Sequence, residues 1–178
     1  NGDGNFEGLN DPTPILSAET GTSTTLGAMR LHALRHGAAI WSRYLGGNGE
    51  IKVLAKFDPL PCSTTSAVLG RAGTLQLAAN FPNAPYANTA YPIALANILA
   101  GRDLNGVTAE IRATFNSDID RGCYQQDEYF WYGIDRPSPD PRRIDFLPVV
   151  LHEFAHGLGF LLNYSLERNG WPAVPGFS

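Results

Sequence analysis

The residues best suited to chemistry lie close together near the end of the sequence, where the run HEFAHGLGF contains His152, Glu153 and His156. Two histidines four residues apart on a helix project from one face, one turn apart, so both imidazoles can reach a single metal ion. Glu153 lies slightly further round the helix, where its carboxylate can reach a metal-bound water and act as general base. Zinc suits such a site, because it binds neutral imidazole and lowers the pKa of a bound water to about 7.

A structural interpretation of the same residues is the alternative. The two histidines could be satisfied by hydrogen bonds within a buried helix, with Glu153 paired to an arginine. Burying two imidazoles and a carboxylate within one turn costs free energy unless a metal or other partners compensate. The motif therefore favours a zinc site, with His152 and His156 as ligands and Glu153 as the catalytic residue.

The elements that must position this motif follow from hydrophobic periodicity and from capping residues. Predicted helices cover residues 24–45, 92–100 and 146–162, predicted strands cover 50–57, 67–69, 74–78 and 110–115, and a long loop covers 116–144. Thr24 or Thr25 is predicted to cap the first helix, and Asp145 is predicted to cap the last. This order of elements predicts an α+β domain with no internal linker.

The motif resembles the active-site helix of zincin metallopeptidases, and the added Gly159 and Phe160 resemble the extended form found in metzincin-like families. Together with residues 24–45, 57–60 and 111–116, the motif extends the resemblance over most of the chain, which is similar to secreted bacterial metallopeptidases that carry a protease-associated domain. The resemblance implies a zincin-like domain, in which a mixed twisted sheet accompanies a long N-terminal backing helix and a C-terminal active-site helix.

The resemblance also implies roles for particular residues. It gives His152 and His156 as zinc ligands and Glu153 as the general base. It further implies that the strand at residues 110–116 is the edge strand of the sheet, against which an extended peptide substrate pairs by β-augmentation.

A third zinc ligand is needed, since zinc sites normally use at least three protein ligands. Metzincins place a third histidine six residues after the second, where this chain has Leu162. Thermolysin-like enzymes use a downstream glutamate, and Glu167 could serve only if the helix stops near Gly159 or Asn163 and the chain turns back. We expect the third ligand beyond Ser178, in a C-terminal companion segment, with Glu167 as the candidate within this chain.

Two further groups of residues could hold a metal. His32 and His36 also lie four residues apart on a predicted helix, but no glutamate accompanies them, so helix packing or surface exposure is the expected role. Oxygen ligands alternate in the glycine-rich N-terminal segment, which makes Ca²⁺ an alternative cofactor there, although the spacing lacks the glycine and glutamate of an EF-hand. These oxygen ligands belong to Asn1, Asp3, Asn5, Glu7 and Asp11.

The two cysteines, Cys62 and Cys123, both lie in predicted loops, and we expect a single disulfide between them. A disulfide implies an oxidising compartment, whereas two unpaired thiols in a cytosolic protein are the alternative. The sequence starts at Asn1 without a methionine, as expected of a secreted protein after its targeting segment has been removed. Both features predict a secreted or extracellular protein.

Composition limits the partners and the number of domains. The chain has 178 residues, of which 43% are hydrophobic and 17% charged, which suits one domain with a core. Its net charge of -4 argues against nucleic acid, and the lack of a long apolar run argues against a membrane. We expect an irregular arm over residues 1–23 and a zincin-like catalytic domain over 24–178, which forms only the N-terminal part of the full catalytic unit.

The sequence thus predicts a secreted zinc metalloendopeptidase that acts on a peptide or protein substrate and is completed by a C-terminal companion segment. Two other hypotheses stay open. One is a non-catalytic protein-binding module, or the incomplete half of a split metallopeptidase, that holds little or no metal. The other is a zinc hydrolase that uses the same site on a substrate other than a peptide.

Overall fold

The computed structural model describes residues 8–46, 49–125 and 128–160, and over these ranges the chain is a mixture of helices and small sheets. The helices are α1 (Leu26–Tyr44), α2 (Ile93–Ala100) and α3 (Phe146–Leu158). The strands are β1 (Pro14–Leu16), β2 (Ser23–Thr25), β3 (Val53–Asp58), β4 (Gly70–Thr74), β5 (Leu77–Ala78), β6 (Tyr91–Pro92), β7 (Ile111–Asn116), β8 (Tyr129–Trp131) and β9 (Arg143–Asp145). No helix in the described ranges is long and apolar enough to cross a membrane.

The main sheet has three strands in the order β3-β7-β4, with β7 parallel to β3 and antiparallel to β4. The register places Ala55, Ala113 and Ala72 side by side across the three strands. The prediction that the strand at residues 110–116 lies at the edge is therefore wrong, because β7 has a neighbour on each side. Five of its six residues are buried, as suits a central strand. Among the described residues, the edges of this sheet are β3 and β4.

Local sequence signals explain where the helices begin and end. The Thr25 hydroxyl accepts a hydrogen bond from the backbone N–H of Ala28 at 3.2 Å, so α1 has the N-cap that its sequence predicts. Helix α2 follows Pro92 and ends at Gly101, whose φ of 66° suits glycine. Asp145 precedes α3, but its carboxylate accepts a hydrogen bond from the backbone N–H of Ser138 at 2.8 Å instead of capping the helix.

Three segments differ from the sequence-based prediction. No strand covers 67–69, since β4 begins at Gly70; Gly70 and Gly73 lower the strand propensity that would have revealed it. The segment 116–144 is not one irregular loop, because it contains a 3-10 turn at Ser117–Arg121 and the parallel pair β8 and β9. Helix α3 ends at Leu158 instead of residue 162.

The main core lies between one face of the sheet and helices α1 and α3. Aromatic rings fill its centre, with Phe146 of α3 lying 5.4 Å from Phe57 and 4.9 Å from Phe115 between ring centroids. The two helices approach closely at Gly37, where a methyl group would lie 2.5 Å from Val150. The helix that carries the motif is therefore fixed against both the sheet and α1, mainly by apolar burial.

Within the described part of the N-terminal segment, β1 and β2 form an antiparallel hairpin. Arg30 of α1 ties this segment to the core: its side chain is 1% exposed and forms ion pairs with Asp120 at 2.7 Å and with Asp11 at 3.5 Å. The Tyr132 hydroxyl donates to the same Asp120 carboxylate. A buried guanidinium is stable only when such partners compensate its lost hydration.

A disulfide joins Cys62 to Cys123, with their Cα atoms 6.0 Å apart. It links the loop after β3 to the residue that follows the 3-10 turn, so it closes a loop across a sequence separation of 61. The predicted cysteine pairing is therefore confirmed. A structural disulfide of this kind suggests an oxidising, extracellular setting.

Candidate metal centre and active site

The two motif histidines meet at the exposed face of α3. The Nε2 atoms of His152 and His156 lie 2.9 Å apart, with the ring planes nearly perpendicular. In a tetrahedral zinc site with Zn–N distances of about 2.0–2.1 Å, two ligand nitrogens lie about 3.3 Å apart, so the rings need separate by only ~0.4 Å. His152 is exposed and His156 is half-buried, so the pair faces solvent on one side. The predicted pairing of these two side chains is present in the fold.

The ring of His156 is oriented by a contact between its Nδ1 atom and the main chain. Its Nδ1 lies 2.9 Å from the Phe160 carbonyl oxygen, and because a carbonyl can only accept, Nδ1 must carry the proton. Nε2 then carries the lone pair that a metal ligand requires, and in the structure this lone pair faces His152 Nε2 at a hydrogen-bond distance of 2.9 Å. Gly159 allows this contact: its φ of 109° ends α3 and turns the chain back, with Schellman hydrogen bonds to the Ala155 and His156 carbonyls.

The Glu153 side chain points from α3 towards β4 and is only 6% exposed. Its Oε2 is buried and has no hydrogen-bond partner among the described residues. Burial raises the pKa of this carboxyl, while His156, His152 and a hydrogen bond from the Ala72 backbone N–H act in the opposite direction. No arginine neutralises Glu153 in the described part of the chain, which argues against the purely structural interpretation of the motif.

The third ligand is not supplied by the part of the chain that the structure describes, since no group of three or more His, Cys, Asp or Glu residues forms there. His32 is exposed and His36 half-buried on α1, and neither joins the motif pair. Glu167 lies outside the described residues. The helix does stop at Gly159, which is the condition under which a residue further along could return to the site.

The predicted calcium segment contributes one described residue, Asp11, which is engaged elsewhere. Its carboxylate pairs with Arg30 and accepts a hydrogen bond from the backbone N–H of Thr13 at 2.9 Å. The remaining candidates in the segment lie outside the described residues. Asp11 therefore has a structural role in joining the N-terminal segment to α1.

Sequence reasoning missed the residues that surround the motif. Gly70 of β4 lies so close to Glu153 that a methyl group there would be 2.9 Å from its Cγ. Ala72 donates its backbone N–H to the same carboxyl, and Trp41 of α1 contacts the chain on both sides of the histidines. A glycine within a strand can mark a close approach, so Gly70 did carry a signal. No such signal marked Trp41, which lies on a helix far from the motif along the chain.

The donor set fits zinc: two imidazoles converge, one of them is oriented by a carbonyl, and a carboxylate with one unpartnered oxygen lies beside them. No protein family model, no curated protein and no solved structure matches this chain. The geometry and chemistry of these residues are therefore the basis on which a function is proposed below.

Proposed function

We propose that this protein is a zinc-dependent metalloendopeptidase. The observation that carries the proposal is the convergence of His152 and His156, with Nε2 atoms 2.9 Å apart, beside the buried carboxylate of Glu153, whose Oε2 has no hydrogen-bond partner among the described residues. The two histidines would hold the ion together with a third ligand from a C-terminal companion segment. Zinc would supply a Lewis acid for the scissile carbonyl and a bound water of lowered pKa.

Glu153 would move the proton in this reaction. Its carboxylate accepts a proton from the attacking water and delivers it to the leaving amine, which requires an oxygen that is free in the ground state. The unpartnered Oε2 meets this requirement. The Ala72 backbone N–H holds the carboxyl in place, and burial, which raises its pKa, brings the group closer to the range that suits proton transfer.

The edge strand β4 is the surface on which a peptide substrate would pair. The bonds from Leu75 N–H to Glu110 O and from Asn116 N–H to Leu69 O fix which β4 residues face β7. By alternation, the backbone groups of Gly70, Ala72 and Thr74 point towards the edge that is unpaired among the described residues. The Ala72 N–H already faces the Glu153 carboxyl, so the Ala72 carbonyl and the groups of Gly70 and Thr74 would pair with a peptide. An extended peptide bound there by β-augmentation would lie beside Glu153 and gain main-chain hydrogen bonds that do not depend on its side chains.

The finer features of the fold and location belong to the same proposal. Helix α3 would be the active-site helix of a zincin-like domain, α1 its backing helix, and residues 24–178 the N-terminal part of the catalytic unit. The Cys62–Cys123 disulfide supports secretion, because such bonds persist in oxidising compartments. A zinc hydrolase acting on a non-peptide substrate would use the same residues, and the position of β4 at the edge of the described sheet favours a peptide over that alternative.

A non-catalytic binding module, or the incomplete half of a split metallopeptidase, is the second candidate. The observation in its favour is that the described residues provide no third ligand. Such a protein would present the edge of β4 to a partner without hydrolysing it.

The test combines zinc content with hydrolysis of a protein substrate. Glu153→Gln should keep the zinc content of the wild type and lower hydrolysis by about 10²–10⁴-fold, the usual contribution of a general base. Glu50→Gln, at an exposed position, is the matched control and should behave as wild type. Zinc bound without hydrolysis in the wild type would favour the binding module, and full activity of Glu153→Gln would refute the proposed mechanism.

A further inference from the structure

Trp41, near the end of α1, contacts the motif helix at two points. Its indole N–H donates to the Leu151 carbonyl at 3.2 Å, and its ring centroid lies 5.9 Å from that of Phe160. Trp41 is half-buried, and Phe160 is 66% exposed. The indole therefore packs against one side of the Phe160 ring, most of which lies in solvent.

Both contact points lie next to the groups that orient the histidines. Leu151 immediately precedes His152 in α3. Phe160 is the residue whose carbonyl accepts the His156 Nδ1–H at 2.9 Å. Trp41 therefore contacts the backbone immediately before His152. It also contacts Phe160, the residue whose carbonyl sets the tautomer of His156.

Backbone hydrogen bonds hold the N–H side of the turn around Phe160: Gly159 N–H donates to the His156 carbonyl at 3.1 Å, and Phe160 N–H donates to the Ala155 carbonyl at 3.0 Å. Neither bond involves the Phe160 carbonyl, and Gly159, with a φ of 109°, can populate other conformations at low cost. The close packing of α1 on α3 at Gly37 involves Leu147 and Val150, in the first half of the motif helix. At the other end of α3, Trp41 packs against the cluster that contains Leu158, and just beyond the helix it contacts the ring of Phe160.

We propose that Trp41 is a positioning residue for the metal centre, which acts through Leu151 and Phe160 to keep His156 in the tautomer whose Nε2 is free to bind. This inference rests on the proposed function. Without the indole, the Phe160 carbonyl can leave Nδ1, and the neutral imidazole can then place its proton on either nitrogen. Partners that orient metal-ligating histidines typically contribute about 10–100-fold to metal affinity.

The experiment uses the full chain and two variants of Trp41. Trp41→Phe removes the N–H donor and keeps a ring against Phe160, whereas Trp41→Ala removes both contacts. Zinc affinity is measured by competition with a chromogenic chelator, and the His156 tautomer by long-range ¹H–¹⁵N NMR of the metal-free protein at a pH where imidazole is neutral. We expect affinity to fall about 10-fold or more in Trp41→Ala, less in Trp41→Phe, and His156 to change from the Nδ1–H form to a mixture in Trp41→Ala.

Phe81→Leu is the control for a general loss of stability, because Phe81 packs in a separate cluster with Tyr91 and Ile93. It should keep the wild-type tautomer and affinity. The inference is overturned if both Trp41 variants keep the wild-type tautomer, whether or not their zinc affinity falls, since Trp41 would then act only through stability. A wrong assignment of the zinc site would give a different result. His152→Ala would then leave zinc affinity unchanged, while the His156 tautomer in the metal-free protein would still show whether Trp41 positions that ring.

Discussion

Gly70→Ala should displace the Glu153 carboxylate, the proposed general base, without disturbing the histidines. The new methyl group would lie 2.9 Å from Cγ of Glu153 and 3.1 Å from its Cδ and Oε1, closer than carbon atoms pack. Glu153 is the flexible partner, so its side chain must move by roughly 0.5–1 Å to reach an ordinary contact distance. A misplacement of about 1 Å costs on the order of 10²-fold in rate, which corresponds to ~2.7 kcal/mol in the activation barrier.

The assay is kcat/KM for a peptide substrate, with zinc content and the free energy of unfolding measured in parallel. Zinc content should stay at the wild-type value, because no histidine is touched. The free energy of unfolding should fall by about 0–2.5 kcal/mol, since about 1–3 kcal/mol of overpacking is partly offset by the 0.5–1 kcal/mol that alanine typically gains over glycine in a strand. Gly73→Ala is the matched control in the same strand, where a methyl group meets nothing within 4 Å. Equal activity of the two variants would refute the placement of Glu153 beside β4.

Two further predictions concern stability. Replacing Cys62 and Cys123 together by serine should lower the free energy of unfolding by about 4 kcal/mol, as expected for a closed loop of this length, and this is measured by urea denaturation. Arg30→Met should destabilise the fold by about 3–5 kcal/mol, because it leaves the Asp120 carboxylate buried without its cation. Arg35, exposed one turn further along α1, gives the control variant Arg35→Met, which should change stability by less than about 0.5 kcal/mol.

Each of these predictions can fail in a distinct way. If reduction of the wild type and the double serine variant both leave the urea midpoint unchanged, the disulfide does not stabilise the fold. If Arg30→Met is as stable as Arg35→Met, the ion pairs of Arg30 do not hold the N-terminal segment against the core.

Much of the local structure could be predicted from the sequence. The Thr25 cap, the start of α2 after Pro92 and the position of α3 after Asp145 all depend on residues within one turn of the element they define. The bounds of β3 and β7 were predicted to within about three residues, because their apolar alternation is local too. The strand β4 was misplaced, since its two glycines give no such alternation.

The sequence by itself determined which residues form the motif and that His152 and His156 share one face of a helix. Spacing along the chain is sufficient for both, because helical geometry is the same wherever the helix lies. The pairing of Cys62 with Cys123 was an expectation beside the alternative of two unpaired thiols, and the fold decided it by bringing their Cα atoms to 6.0 Å. Only the tertiary structure decided that β7 is central and that β4 lies at the edge of the described sheet. It also decided that Glu153 is buried beside Gly70 and that Trp41 donates a hydrogen bond to the backbone of α3. These relations join segments far apart in sequence, and a pattern of polarity specifies which face of an element is buried without specifying which partner buries it.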